Sequence, residues 1–282
     1  MKKAISLHKY PNKKIVIITD NPKSISRQTP SCLPRYLTPY WPTPKPAYLL
    51  RYLIPYWQER GLTVTVTTPN DCPDADIALL HVDATQVPTI YAKALQKYPT
   101  VLNGDFLDNS KSIVSRQLVR LEDNFSGSVI IKTNANFGGL PELRRQKSRD
   151  SNLVAKNTTD INAIDWANIQ AILPDQYPIV KSVDLIPEAV WNNPHLIVEK
   201  FLPERDSNGC YRMRACLFFG HQEINMLVTS KHPVVKGSGL ISRVILNEST
   251  PTQLQTMRKE LRVDFGRLDY VIVDGEVVLY DV

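Results

Sequence analysis

The chain has 282 residues, a formal net charge of +6 at pH 7, 43% hydrophobic and 22% charged residues. That composition excludes a disordered chain and suits one large or two modest globular domains with a sizeable core. No apolar run approaches the roughly 20 residues that span a bilayer, and the opening MKKAISLHKY has only AISL as an apolar stretch, so neither a membrane helix nor a secretory leader is expected.

The first third alternates strand and helix signals. Lys14–Asp20 is a β-branched apolar run, Pro46–Glu59 has helical character up to Gly61, and Leu62–Thr67 alternates as a strand does. Ile77–Val82 is a further strand, Thr89–Gln96 a helix and Pro99–Leu102 the start of a short strand. Strands separated by helices predict a parallel sheet with crossover helices. RYLTPYW at Arg35–Trp41 returns as RYLIPYW at Arg51–Trp57, and the prolines forbid one continuous helix across both copies.

In the middle third, Ser110–Asp123 carries Ile113, Leu118 and Leu121 at near-helical spacing, with Ser110 as N-cap. Ser128–Thr133 is a strand that runs into the turn-rich NANFGG. Residues 140–176 are polar and read as loop, including the basic cluster RRQKSR at Arg144–Arg149. Tyr177–Lys181 is a short strand, followed by a turn or helix near Pro187–Trp191. The last third is β-rich: His195–Phe201, Tyr211–Phe219, Glu223–Thr229 and Leu240–Leu246, then a helix over Thr252–Leu261, then Arg267–Val273 and Glu276–Asp281 around Asp274-Gly275, a hairpin turn signal.

The chemistry-bearing residues follow from these placements. Lys132 ends an apolar strand beside Gly138-Gly139, a loop whose backbone N–H groups can approach phosphate oxygens. Asp269 and Asp281 sit one residue out of register in an ideal two-residue hairpin. A bulge, or a turn one residue longer, places both carboxylates on one face, where they suit magnesium shared with phosphates. Glu199 and Lys200 end an apolar strand that breaks at Pro203. Arg212 and Arg214 share one strand face, inward toward an anion or outward to solvent. Lys231, Lys236 and Arg243 follow in a glycine-bearing segment. Cys32, Cys72, Cys210 and Cys216 form no C-x-x-C pair and the five histidines do not cluster with them, so reduced cysteines, no zinc and a cytoplasmic location are expected. His81 at a strand end and the stretch to Pro88 are candidates for a substrate pocket.

In order, VIIKTNANFGG, LIVEKFLPE with YRMRACLFFG, and GRLDYVIVDGEVVLYDV, preceded by a helix with Lys111 near its start, resemble the ATP-grasp superfamily over about residues 105–282. The resemblance implies an α/β chain: an ATP-grasp fold of two α+β subdomains gripping ATP, at 108–194 and 195–282, preceded by a Rossmann-like parallel α/β domain at 1–107. It implies that Lys111 and Lys132 contact ATP phosphates, that Gly138 and Gly139 form a flap over them, and that Glu199, Lys200, Phe201 and Leu202 line the adenine with Glu204 near the ribose. Asp269 and Asp281 then hold Mg2+, and Arg214, Arg212, Lys231 and Arg243 face phosphates or an acylphosphate. The family's metal-binding asparagine falls at the position after Val282. The implied activity is an ATP-dependent ligase that activates a carboxylate as an acylphosphate for attack by an amine. A kinase on the same fold and a non-catalytic nucleotide-binding protein are the alternatives. The expected partners are ATP and an anionic small molecule or peptide, with a homodimer possible and neither nucleic acid nor membrane involved.

Overall fold

The computed structural model describes residues 12–22, 25, 49–146, 150–156, 160–235 and 239–282. The first RYL-x-PYW copy, Cys32, Lys236 and residues 147–149 of the basic cluster lie outside these. The chain divides into two compact units: Met1–Asp83 with Val87–Leu107 and Arg262–Phe265, and Ala84–Gln86 with Asp108–Leu261 and Gly266–Val282.

The first unit holds β1 (Lys14–Thr19), α1 (Leu50–Gln58), β2 (Thr63–Thr67), β3 (Ile77–His81), α2 (Thr89–Leu95) and β4 (Val101–Leu102). The four strands form one parallel sheet in the order β2-β1-β3-β4. Val16, Ile18, Ala78 and Leu80 pack against Tyr91, Leu95 and Tyr98, while Ile15, Ile17 and Leu79 on the opposite face are buried as well. Burial of both faces is why β1 and β3 read as unbroken apolar runs, while β2 alternates. The second RYL-x-PYW copy is helical through Pro55: α1 continues past it, burying Leu50 and Trp57. Asn103 fastens Arg262–Phe265 to this unit. Its N–H donates to Asp264 Oδ2 at 2.8 Å, its Nδ2 to the Phe265 carbonyl at 2.9 Å, and its Oδ1 accepts the Asp264 and Phe265 N–H groups.

The second unit holds α3 (Lys111–Val114), β5 (Val129–Thr133), α4 (Leu140–Arg145), β6 (Val154–Ala155), β7 (Ala171–Ile172), β8 (Ile179–Val180), α5 (Glu188–Trp191), β9 (Leu196–Lys200), β10 (Glu204–Arg205), β11 (Tyr211–Phe219), β12 (Gln222–Ser230), β13 (Leu240–Leu246), α6 (Thr252–Leu261), β14 (Phe265–Val273) and β15 (Glu276–Asp281). Its sheets are β8-β5-β9, the short pair β6-β7, and β13-β12-β11-β14-β15 with β10 added to β11. The α/β class expected from the sequence is therefore present, as parallel pairing in the first unit and largely antiparallel pairing in the second.

Two expectations for the middle third are corrected. Ser110–Asp123 is not one helix. After the single turn of α3 the chain extends at Ser115, and Gln117–Val119 pairs with β9 through Val119 N–H to the Val198 carbonyl and Lys200 N–H to the Gln117 carbonyl. Satisfying the open edge of β9 outweighs a helical stripe whose Ile113 and Leu121 remain exposed. Residues 140–176 are likewise structured where described. Trp166, Ile169, Ala155 and Ile172 join Val129, Ile131, Leu196 and Val198 in one core, and Asn193 Nδ2 donates to the Trp166 and Ile169 carbonyls to hold that segment down. Arg144 and Arg145 end α4.

Candidate functional site

The second unit carries an open cleft whose walls come from β5, β9, β11, β14 and β15 and the loop before β13. Strand alternation explains its lining. In β5, Val129 and Ile131 point into the core while Ile130 and Lys132 point into the cleft. In β9, Val198 points into the core, and Glu199 lies opposite Ile130 on the cleft side. Lys132 Nζ therefore meets Glu199 Oε2 at 2.6 Å, with both side chains almost fully buried. The Tyr280 ring lies 5.1 Å from the same ammonium. Glu199 Oε1 is buried with no hydrogen-bond partner, an acceptor left open beside the cleft.

The hairpin β14–β15 has the two-residue turn that the sequence predicts: Val273 pairs with Glu276 around Asp274 (φ 52°) and Gly275 (φ 82°). A bulge between Asp269 and Tyr270 then shifts the register by one residue. Asp269 stands opposite Asp281, both line the cleft, and Tyr280 becomes the extra residue. The Tyr280 hydroxyl donates to the Leu202 carbonyl at 2.6 Å. Asp269 Oδ1 accepts Arg267 Nε at 2.6 Å, and Asp281 Oδ1 lies 3.5 Å from Lys111 Nζ. Lys111 is buried at the start of α3, where its N–H donates to the Asn134 carbonyl and the next N–H to Asn134 Oδ1. Ser110 occupies the N-cap position, but Asn134 does the capping. Lys200 sits 5.2 Å over the Phe125 ring. Phe137, Phe201, Tyr211, Met213 and Pro233 to Val235 supply the apolar lining.

Of the residues singled out from the sequence, the cleft brings together Lys111, Lys132, Lys200, Phe201, Arg212, Asp269 and Asp281, with Glu199 behind Lys132. Leu202, Glu204, Arg214, Lys231, Arg243, Gly138 and Gly139 are not among its lining residues. Glu204 and Arg214 are joined to each other, with Nε to Oε2 at 3.1 Å and Nη2 to Oε1 at 3.0 Å. Lys231 and Arg243 are exposed. Gly138 and Gly139 are buried at φ 69° and 75°, and a Cβ on either would stand 2.1 Å from the Ile172 carbonyl or 2.6 Å from that of Gln170. These glycines allow close packing on β7, and the adjacent Phe137, itself at φ 44°, is the part of that turn that reaches the cleft.

Sequence reasoning passed over Tyr177, Tyr280 and Phe137. Burial pushes the Tyr177 phenol well above its ordinary range, opposed by hydrogen bonding to Thr133 and Gly138. Burial does the same for Tyr280, with Glu199 and Glu204 adding to it. Both stay protonated as donors at neutral pH. Tyr280 sits next to Asp281 in sequence, but nothing in the sequence marks it as the bulged residue.

The residues present suit a nucleotide with a divalent cation. Two carboxylates directly opposite each other offer hard oxygens, which magnesium supplements with water and substrate phosphates. No group of three or more His, Cys, Asp and Glu is gathered among the described residues, so protein side chains of these types alone do not complete a cation shell.

Solved structures similar to this chain include a RimK domain ATP-grasp protein from Sphaerobacter thermophilus, at 11% identity and TM-score 0.46, covering 95% of this chain and 89% of that one. Two macrocyclases from Microcystis aeruginosa are also similar. MdnC, solved with the precursor peptide MdnA, shows 9% identity and TM-score 0.43 over 95% and 90% of the chains. MdnB shows 9% identity and TM-score 0.42 over 96% and 91%. No family profile and no curated protein sequence matches the chain. No helix among the described residues is long and apolar enough to cross a membrane.

Proposed function

We propose that the cleft of the second unit binds ATP with magnesium, and that the protein is an ATP-dependent ligase that activates a carboxylate for attack by an amine. The observation that carries this reading is the bulge that sets Asp269 opposite Asp281 in a cleft also lined by Lys111 and Lys132. Two hard-oxygen ligands beside two ammonium groups suit a polyphosphate, and the apolar lining beside them suits a base. The motifs that resemble ATP-grasp proteins support the same assignment.

In this reading Asp269 and Asp281 hold the magnesium, which neutralises phosphate charge and orients the triphosphate. Lys132 and Lys111 move from Glu199 and Asp281 toward phosphate oxygens when the nucleotide enters. Glu199, with one buried oxygen unpartnered, accepts a hydrogen bond from the ligand. Phe201 and Pro203 flank the base. Phosphoryl transfer to a carboxylate needs positioning and charge stabilisation more than a protein nucleophile. The active location is the cytoplasm, where ATP and reduced cysteines coexist.

Calorimetric titration with ATP, with and without magnesium, tests the assignment. The expected result is magnesium-dependent binding by the native chain, lost or weakened at least about tenfold in Asp269→Asn and Asp281→Asn, each removing one charged ligand. Release of free phosphate only when carboxylate and amine are both present then marks a ligase, and a stable phosphoester marks a kinase. Absence of ATP binding by the folded native chain overturns the reading.

A further inference from the structure

β13 is the outer strand of its sheet, paired with β12 on one side and with no strand of the described residues on the other. A free edge presents a row of backbone N–H and C=O groups, which proteins blunt with lysine, proline, short length or a bulge. β13 runs seven residues with neither lysine nor proline. Its bulge lies at the start, where Ile241 has no partner on β12, and Ser242 to Leu246 then pair regularly with Thr229 to Asn225. The strand is also bare on both faces. Leu240, Ile241, Val244 and Ile245 are 39–54% exposed, and Ile224 on β12 adds a further exposed apolar side chain. Exposed apolar side chains beside an unpaired ladder mark an interaction surface.

Charge selects the occupant. The start of β13 is basic: the Lys231 N–H donates to the Gly239 carbonyl at 3.1 Å, which sets the exposed Lys231 beside it. The far end is acidic: Glu248 follows just after the strand, its side chain 67% exposed although one oxygen lies 3.6 Å from Arg214. A second copy of the same strand, laid antiparallel about a twofold axis, brings the basic start of each copy to the acidic end of the other. Centring the axis on Arg243 would set two guanidiniums face to face. Centring it on Val244 sets the two Val244 side chains opposite each other, Arg243 opposite Ile245, Ser242 opposite Leu246 and Leu240 opposite Glu248, so no like charges stand directly opposite.

We propose that β13 pairs antiparallel with β13 of a second copy of this chain, centred on Val244, and joins the two sheets into one across a twofold axis. The proposal is independent of what the cleft binds. Seven residues a side is fewer than the roughly 20–30 of a standard interface, so a reversible dimer of about micromolar affinity is expected.

Sedimentation velocity of the full chain over about 1–200 µM tests this. The native chain is expected to pass from monomer to dimer across that range. Val244→Lys sets two ammonium groups opposite each other and is expected to weaken the dimer at least about tenfold, with the urea midpoint of the monomer unchanged because the side chain is exposed. Lys231→Glu alone and Glu248→Lys alone are each expected to weaken it about 2- to 10-fold. An equimolar mixture of those two variants is expected to recover the dimer, since each offers the charge that the other lacks. A local effect of either substitution on its own chain does not recover on mixing. A native chain that stays monomeric throughout the range overturns the proposal. So do a dimer indifferent to Val244→Lys, a mixture no stronger than either variant alone, and growth beyond a dimer, which an edge closed by a twofold axis does not allow. If Val244→Lys does not fold, Ile245→Lys makes the same comparison by setting an ammonium opposite Arg243.

Discussion

Lys132 and Glu199 are the most consequential pair at the scale of single residues. Both are removed from water, so deleting one strands the other charge, at a cost of about 3–5 kcal/mol. Glu199→Ala and Lys132→Ala are each expected to lower stability by that order in urea unfolding. The double variant Lys132→Met/Glu199→Leu is expected to lie well above either single variant, because no charge is left buried; a double-mutant cycle measures the difference. His81 offers a separate test in the first unit. Burial lowers its pKa from 6.5 to about 4, partly opposed by Asp20. The unfolded chain therefore binds the proton more readily between those values, and stability is full above pH 6.5 and declines as pH falls toward 4, by about 3 kcal/mol. His81→Gln is expected to flatten that dependence, measured as the unfolding free energy at pH 7 and pH 4.5.

Among elements, the turns separate two ways in which glycine matters. Gly275 lies at φ 82° with open space where a Cβ would stand, so Gly275→Ala costs only backbone strain, about 1 kcal/mol. Gly138 lies at φ 69° with the Ile172 carbonyl 2.1 Å from that Cβ, so Gly138→Ala adds a clash with fixed backbone and is expected to cost at least twice as much. Thermal unfolding of the two variants checks the order. The same elements show what sequence periodicity conveys. α6 falls on the expected Thr252–Leu261, and Asp274-Gly275 turns where its residue types require, because those signals are local. The bulge at Asp269 and the extended path of Gln117–Val119 depend on a neighbouring strand that the local sequence does not name. Seven of the candidate residues line the cleft, and local strand alternation accounts for Lys132 among them. The glycine pair, and the Arg214–Glu204 clamp that stays out of the cleft lining, depend on partners at β7 and β14.

Across the whole molecule, composition and the order of strand and helix signals reveal an α/β chain, but not how the chain is divided. The sequence suggests a boundary near residue 107, yet Arg262–Phe265 belongs with the first unit and Ala84–Gln86 with the second. The link at Asn103 is a set of polar bonds with Asp264 and Phe265, invisible to hydrophobic periodicity. Asn103→Ala leaves several of these backbone groups without partners and is expected to destabilise the first unit by about 2–4 kcal/mol. Hydrogen exchange of amides in β1 and β3 is the measurement, with faster exchange there as the expected result.

The late arrival of Arg262–Phe265 also bears on how the protein is made. The residues that finish the first unit leave the ribosome only after the whole stretch from Leu107 to Arg262 has been translated, roughly 8–30 s at about 5–20 residues per second. Throughout that interval the nascent first unit carries Asn103 without its partners. A pause or truncation between Asp108 and Leu261 therefore leaves both units unfinished, the first one for want of four residues.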